Sequence, residues 1–224
     1  MSEIVDAPSR SPAGVRPALR GWLHAGAAPA VAAAGLVLVV LSPSSMRVAV
    51  SVYAVTATLL FAISAAYHRL AWGRRGESVF KRLDHATIFL IIAGSYTPFA
   101  LALLDPGTAR TLLLVVWSGA LLGAVFRVLW VEAPRWLYTP IYVALGWTAV
   151  FFLGDFARTA GTAVLVLIVV GGVLYSLGGL VYGLRRPDPS PRWFGFHEVF
   201  HAFTLGGWTV QHVAVWLAVL RIAT

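Results

Sequence analysis

Residues 197–220 read HEVFHAFTLGGWTVQHVAVWLAVL, an apolar run that opens on two histidines four positions apart. The part from 199 to 220 contains no Asp, Glu, Lys or Arg, and it exceeds the roughly 20 residues that a helix needs to cross a bilayer. Residues four apart on a helix share a face, so His197 and His201 turn both imidazoles to the same side. The stretch predicts a transmembrane helix with two potential metal ligands where it enters the membrane.

Six more apolar runs precede this one in a chain of 224 residues that is 59% hydrophobic and only 12% charged. Each run predicts a helix, because backbone that lies in lipid must satisfy its own hydrogen bonds. We therefore predict an all-α fold, a polytopic membrane protein built as a seven-transmembrane helix bundle. Residues 1–23 are expected to form a cytoplasmic N-terminal tail, and residues 24–224 the membrane domain. The seven runs cover approximately residues 25–41, 48–67, 83–104, 111–129, 137–154, 162–183 and 199–220.

The net charge of +8 is distributed very unevenly between the two sides of such a bundle. The side that holds the N-terminus carries thirteen Lys and Arg residues, whereas the other carries only Arg47, Arg110, Arg158 and Arg221. Basic residues accumulate in cytoplasmic loops, so we expect a multi-pass protein of the cell membrane (plasma or inner), with its N-terminus in the cytoplasm and its C-terminus outside. The basic excess then indicates contact with anionic lipid headgroups rather than with nucleic acid.

A few ionisable residues lie at the edges of the spans, where such groups are costly and usually mark a functional site. His68 ends the second run, Asp84 begins the third, and His197 and His201 begin the seventh, all at the expected cytoplasmic boundary. The chain has no cysteine, so a transition metal must be held by His, Asp or Glu. Three histidines and a water form a tetrahedral catalytic zinc site, in which Asp84 can hydrogen-bond a ligand or the water. The alternative, separate interfacial side chains, stays open at this point.

The segment 197–201 also spells H-E-x-x-H, the signature of zinc peptidases. Those enzymes take a third ligand from further along the chain, but no Asp or Glu follows Glu198. His212 lies about 16 Å deeper along the same helix, and Gly207 occupies the position where the extended motif needs its third histidine. The third ligand must come from upstream, and His68 is the candidate. Glu198 points away from His197 and is expected to face lipid headgroups, so the peptidase hypothesis is disfavoured.

Two other histidines need an interpretation. His85 follows Asp84 and points to a neighbouring helix face, which favours a supporting or interfacial role over metal binding. His212 falls on nearly the same face as His201 but deeper in the membrane. A hydrogen bond inside the bundle is its expected role, with a proton relay as the alternative.

Three segments together resemble the bacterial haemolysin III family. They are SAAYH at 64–68, KRLDHATIFLIIAGSYTPF at 81–99 and HEVFH at 197–201. That family belongs to the progestin and adiponectin receptor superfamily and is more distantly similar to alkaline ceramidases. The resemblance implies a Ser-x-x-x-His pair at Ser64 and His68, the family's Asp at Asp84, and its His-x-x-x-His pair at His197 and His201. In the receptors the three histidines bind zinc and the Asp contacts the metal through a water.

Three functions remain as hypotheses. The first is a Zn²⁺-dependent hydrolase, ceramidase-like, that cleaves a lipid amide or ester in the cytoplasmic leaflet; Asp84 would take a proton from water and Ser64 would stabilise the oxyanion. The second is a non-catalytic sensor or regulator of membrane lipids with a structural zinc. The third is a cytolysin or channel, which should carry charges along a whole pore, whereas the charges of this chain lie at the ends of the spans. An open fourth metal position favours the first hypothesis over the second.

Overall fold

A computed structural model describes residues 16–221, so most of the predicted N-terminal tail lies outside the described part of the chain. Within that part the secondary structure is helical, with two short 3-10 segments at Ser44–Met46 and Trp147–Phe152. The α-helices are α1 Trp22–Leu41, α2 Arg47–Arg69, α3 Arg74–Leu103, α4 Pro106–Leu129, α5 Arg135–Gly146, α6 Leu153–Thr159, α7 Gly161–Leu184 and α8 Phe196–Leu220.

Seven membrane spans follow from these elements over residues 16–221, because α5, the second 3-10 segment and α6 run on as one span, Arg135–Thr159. The predicted all-α, seven-span fold is confirmed. One boundary differs: α3 begins at Arg74, well before the apolar run that starts at 83. The additional turns carry charged residues and lie outside the apolar part of the span, so the connection from α2 consists only of residues 70–73.

The helices pack mainly against their neighbours in sequence, and α8 closes the bundle by contacting α7, α3 and α1. Buried aromatic residues such as Tyr53, Phe61 and Phe89 fill the interior. The outer surface is also apolar: Phe151 is 86% exposed and Leu122 is 72% exposed. An apolar exterior around a packed core is what a bundle surrounded by lipid needs, since the tails of lipids solvate such side chains as well as a protein core does.

The contact between α2 and α3 depends on one small residue. A Cβ atom built on Gly94 would overlap the side chain of Thr56. The two helix backbones therefore approach closely there, as small residues commonly permit in membrane helices. This close contact fixes the separation of α2 and α3, and so it helps to position His68 and Asp84 relative to each other at the ends of these helices.

The fifth span is interrupted in its middle. The α-helical hydrogen bonding of α5 stops at Gly146, and Trp147–Phe152 forms the 3-10 segment before α6 resumes the span. Tyr96 of α3 compensates this break: its hydroxyl donates to the Gly146 carbonyl at 2.5 Å and accepts from the Ala149 N–H at 2.8 Å. Irregular backbone at membrane depth is tolerated only where protein groups satisfy it, as Tyr96 does here.

The residues just before α1 lie across the entrance of α8. Two backbone hydrogen bonds hold them there, from Ala18 N–H to the Arg192 carbonyl at 2.9 Å and from Leu19 N–H to the Trp193 carbonyl at 3.1 Å. The first and last spans are therefore joined at the end of the bundle that carries His197.

Candidate metal centre

The bundle brings together three histidines that are far apart in sequence. His68 is contributed by the last turn of α2, whereas His197 and His201 are contributed by the first two turns of α8. One nitrogen of each imidazole lies within 4.8 Å of the other two. The Nε2 atoms of His68 and His197 are only 3.2 Å apart. The structure thus assembles the predicted triad at one end of the bundle, and its role as a ligand set stays a prediction.

The geometry fits a zinc ion. Two nitrogens bound to one tetrahedral zinc at about 2.0–2.1 Å stand roughly 3.3 Å apart, close to the separation of the two Nε2 atoms. His201 is 2% exposed, and its Nδ1 atom is buried without a hydrogen-bond partner among the described residues. Buried polar atoms are nearly always paired, so an unpaired imidazole nitrogen beside two others is compatible with a set of metal ligands. The donor set of three imidazoles and no thiolate is one that zinc accepts.

Asp84 and Ser64 complete the predicted group. The Asp84 Oδ2 atom lies 3.9 Å from the Nε2 atom of His68, and the Ser64 side chain lies beside the Asp84 carboxyl group. Ser64 itself is 2% exposed. A carboxylate therefore lies beside the triad, and it is contributed by a third helix, α3. The oxyanion role expected of Ser64 from the sequence stays a prediction.

A fourth histidine was not found from the sequence. The imidazole of His24, in the first turn of α1, stacks on that of His201 with ring centroids 3.8 Å apart and planes at 9°. It is 2% exposed and meets Phe61 edge-on at 4.7 Å. His24 begins the first apolar run at the same boundary as His68, and this shared depth was the signal that could have identified it. The stack fixes the plane of the His201 ring.

The expected headgroup-facing position of Glu198 is wrong. Glu198 is 0% exposed; its carboxylate accepts a hydrogen bond from Gly195 N–H at 2.9 Å and pairs with Arg20 Nε at 2.6 Å. The physical reason is that the segment before α1 covers the first turn of α8, which excludes headgroups and supplies the arginine. Glu198 thus holds α8 and the N-terminal segment together and is not positioned as a general base.

Gly21 allows that segment to approach the triad. Its φ angle of +78° lies in the left-handed region, which glycine adopts without the steric cost that other residues incur. A Cβ atom at this position would lie 2.5 Å from the Cβ atom of His68. Any larger residue would strain the backbone and displace a member of the triad.

The other two histidines lie apart from the triad. His85 Nδ1 contacts the Lys81 carbonyl at 2.6 Å, and His85 Nε2 lies 3.5 Å from the Tyr182 hydroxyl. Tyr182 was not identified from the sequence, and its ring stands 5.8 Å from that of His197. His212 accepts from Trp216 Nε1 at 3.1 Å and lies 3.4 Å from the Tyr53 hydroxyl. The expectation of a hydrogen-bonded His212 inside the bundle is confirmed.

A cavity of about 760 Å³ extends from the triad into the bundle. Asp84 and the three histidines line it at one end. Its deeper wall is largely apolar and is formed by α3, the fifth span, α7 and α8, with side chains that include Ile88, Ile92, Phe99, Trp147, Leu153 and Ile168. Ligand cavities of 300–1,000 Å³ that are apolar with a few convergent polar groups are typical binding sites for small molecules.

The cavity mouth carries opposite charges that are already paired. Lys81 Nζ donates to Glu132 at 2.8 Å. This contact holds the pKa of the Glu132 carboxyl below its ordinary value, so the pair stays ionised at neutral pH.

Sequence comparison relates this chain to a known family. The sequence profile of a family described as "Haemolysin-III related" matches residues 14–212. The chain is 32% identical over 160 residues to "Hemolysin-3 homolog" of Bacillus subtilis, covering 71% of this chain and 72% of that protein. It is 30% identical over 181 residues to "Hemolysin-3" of Bacillus cereus, with 81% and 80% covered. It is also 30% identical over 180 residues to "Heptahelical transmembrane protein ADIPOR2" of Oryza sativa, with 73% and 79% covered.

Proposed function

We propose that this chain, which belongs to the haemolysin III family within the progestin and adiponectin receptor superfamily, is a zinc-dependent hydrolase of a lipid amide or ester. The observation that carries the proposal is the position of the triad. Three imidazoles and a carboxylate stand together at the polar end of a large apolar cavity, between helices that cross a membrane. A purely structural metal site has no need of such a cavity.

His68, His197 and His201 would hold the zinc ion. The chemistry that zinc supplies in such a site is Lewis acidity, which lowers the pKa of water to about 7. Asp84 would accept a proton from the attacking water and later return it to the leaving amine or alcohol. Ser64, which lies beside Asp84, would orient its carboxylate. The His24 ring, stacked on His201, prevents that imidazole from rotating away.

The substrate class follows from the lining of the cavity. Its deeper wall is largely apolar and includes Ile, Phe, Leu and Trp side chains, which suits an acyl chain better than a polar solute. The triad lies at the level where the helices emerge from the apolar region, so the carbonyl of a bound lipid would lie at the polar end, next to Asp84. An acyl chain bound in the cavity would also exclude bulk water from the reacting carbonyl.

Replacement of Asp84 by Asn tests the mechanism. The variant keeps the three imidazoles, so purified protein should retain wild-type zinc content, measured by metal analysis. Hydrolysis of a panel of ceramides, N-acyl amino acids and phospholipids, followed as released fatty acid, should fall by about 100- to 10,000-fold, the usual effect of losing a general base. Asp155→Asn is the matched control, because Asp155 lies at the opposite end of the bundle at the start of α6.

Two results would contradict the proposal. Zinc-dependent hydrolysis that is indifferent to Asp84 would reject the role of the carboxylate while leaving the metal site. Wild-type protein that holds zinc but releases no fatty acid from any lipid class in the panel would reject the hydrolase itself.

A second candidate function is a lipid-responsive regulator in which zinc joins helices. The observation that favours it is the origin of the ligands: α2 supplies one and α8 two, whereas the main neighbours of α8 are α7, α3 and α1. A metal would thus add a link between α2 and α8 at this end of the bundle; deeper in it, the Tyr53 hydroxyl of α2 already lies 3.4 Å from His212 of α8. In this case Asp84→Asn would leave every lipid assay unchanged, and removal of zinc by a chelator would lower the unfolding temperature without loss of any turnover.

A further inference from the structure

One half-buried cation at the cavity mouth has neither a carboxylate nor a backbone carbonyl as its partner among the described residues. Five basic side chains of the described residues line the cavity: Arg20, Lys81, Arg127, Arg135 and Arg185. Arg20 and Lys81 are paired with carboxylates. Arg127 donates to the carbonyls of Trp130 and Val131 at 2.9 and 3.1 Å. Arg185 is exposed at the end of α7. Arg135 is the fifth basic side chain, and it has no such partner among the described residues.

Arg135 is held by aromatic faces instead of by an anion. Its guanidinium lies 4.5 Å from the centre of the Tyr182 ring and 5.5 Å from that of Phe196. Its Nη1 atom is buried, and within residues 16–221 it has no hydrogen-bond partner. Cation–π contacts offset part of the cost of burying a charge, but a guanidinium N–H group without an acceptor remains costly. Such an orphaned donor commonly marks the place of a bound ion or ligand.

The surroundings of Arg135 favour an anion further. Arg135 begins α5, and the first turn of that helix contains no acidic residue, so the partial positive charge of the helix terminus is added to that of the guanidinium. Tyr182, on which Arg135 stacks, is also the residue whose ring stands 5.8 Å from the His197 ring. One aromatic side chain therefore separates the cation from the triad.

We propose that Arg135 binds the anionic headgroup of an amphiphile, a carboxylate or a phosphate, whose acyl chain occupies the cavity. The inference rests on the proposed function in taking a lipid as the occupant, and it narrows the substrate to one with a negative charge a few bonds from the amide or ester. The planar guanidinium suits both anions, because its paired N–H donors match their oxygens. Neutral ceramide-like lipids would lack this contact.

The test is binding without turnover. The purified full chain is titrated with N-hexadecanoylglycine and with its neutral amide, N-hexadecanoylglycinamide, in the presence of a chelator, so that neither is hydrolysed and neither contacts a metal. We expect the wild type to bind the acid about tenfold more tightly, a typical gain for a charge-assisted contact. Arg135→Gln should bind both equally. Arg75→Gln, which removes an exposed charge outside the cavity, should keep the preference.

Several outcomes overturn the assignment. The assignment is wrong if the wild type binds the acid and the neutral amide equally tightly. It is also wrong if Arg135→Gln still binds the acid more tightly than the amide. A preference lost equally in Arg75→Gln would show that the general surface potential is responsible. Should Arg135→Gln fail to bind even the neutral amide, Arg135→Lys decides, because lysine keeps the charge and loses the paired donors: a reduced preference supports the assignment and an unchanged one overturns it.

A second ligand pair identifies the anion. N-hexadecanoyl-O-phosphoethanolamine and N-hexadecanoylethanolamine differ by a phosphate, and the pair with the larger Arg135-dependent preference shows which headgroup is recognised. Hydrolysis of the same ligands by zinc-loaded protein is measured separately. An Arg135-dependent binding preference without hydrolysis would support the role of Arg135 and reject the hydrolase. Hydrolysis without such a preference would support the hydrolase and reject the role of Arg135.

Discussion

At the scale of single residues, the centre is a set of side chains that support one another across helices. His201 is held by the His24 stack, Ser64 lies beside Asp84, and His68 lies against Gly21. Each support comes from a different helix or from the segment before α1. The position of each triad member therefore depends on residues that would not themselves contact a metal.

Removal of any one histidine of the triad should abolish metal binding. His68→Ala, His197→Ala and His201→Ala each leave two protein ligands, too few for a zinc site. We expect purified wild type to hold about one zinc per chain and each variant only a small fraction of that, by metal analysis. His212→Ala is the matched control, since His212 lies on the same helix as His197 and is hydrogen-bonded elsewhere. Wild-type zinc in all three variants would disprove the site.

Gly21→Ala should weaken the centre without touching a ligand. A Cβ atom there meets His68, and the left-handed backbone conformation adds about 1–2 kcal/mol of strain. The variant should lose zinc to a competing chelator faster than the wild type and unfold at a lower temperature. Gly26→Ala is the control: it lies one turn further along α1, where a Cβ atom would have no neighbour within 4 Å. Equal chelator resistance in both variants would contradict this account.

At the scale of elements, the sequence predicted what local composition determines and missed what other helices determine. The spans followed from apolar length, and the triad followed from costly polar residues at their edges. The break in the fifth span could not be predicted, because residues 147–152 are as apolar as their neighbours and the compensating hydroxyl of Tyr96 comes from α3. The burial of Glu198 depends in the same way on Arg20, which is distant in sequence.

Tyr96→Phe tests the compensation at this break. Without the hydroxyl, the Gly146 carbonyl and the Ala149 N–H lose their partner at a depth where water is scarce. The expected cost is about 1–3 kcal/mol for each buried group left unpaired, seen as a lower thermal unfolding midpoint in detergent. Ser95→Ala serves as the control, because the Ser95 hydroxyl bonds only a carbonyl of its own helix. Similar midpoints for both variants would show that the 3-10 segment needs no support from α3.

At the scale of the whole molecule, the end of the bundle that holds the triad has the character of a membrane interface. Exposed tryptophans surround it at the ends of several helices: Trp22 is 52%, Trp130 51%, Trp136 74% and Trp193 63% exposed. Tryptophan prefers the headgroup level. These four tryptophans and the excess of basic residues at the same end of the bundle indicate that the triad lies just inside the headgroups of one leaflet. We expect this leaflet to be the cytoplasmic one.

Fusion of topology reporters tests this orientation. A reporter inserted between α2 and α3, within residues 70–73, should be active in the cytoplasm, whereas one fused to the C-terminus should be active outside. The reason is that thirteen of the seventeen basic residues belong to the side that holds the N-terminus and the connection between α2 and α3, and basic residues accumulate in cytoplasmic segments. The opposite pattern would assign the triad and its cavity to the outer leaflet and exclude a cytoplasmic lipid substrate.

The distance along the chain between the three histidines also sets the order of events during synthesis. His68 precedes His197 by 129 residues, and α8 is the last of the described helices to leave the ribosome. Until α8 has been released into the bilayer beside the others, a nascent chain has one imidazole of the three and lacks one wall of the cavity. Under the proposed function, zinc would be acquired only after α8 has inserted beside α2. A chain stalled or cleaved before α8 would remain in the membrane as an inactive, metal-free protein.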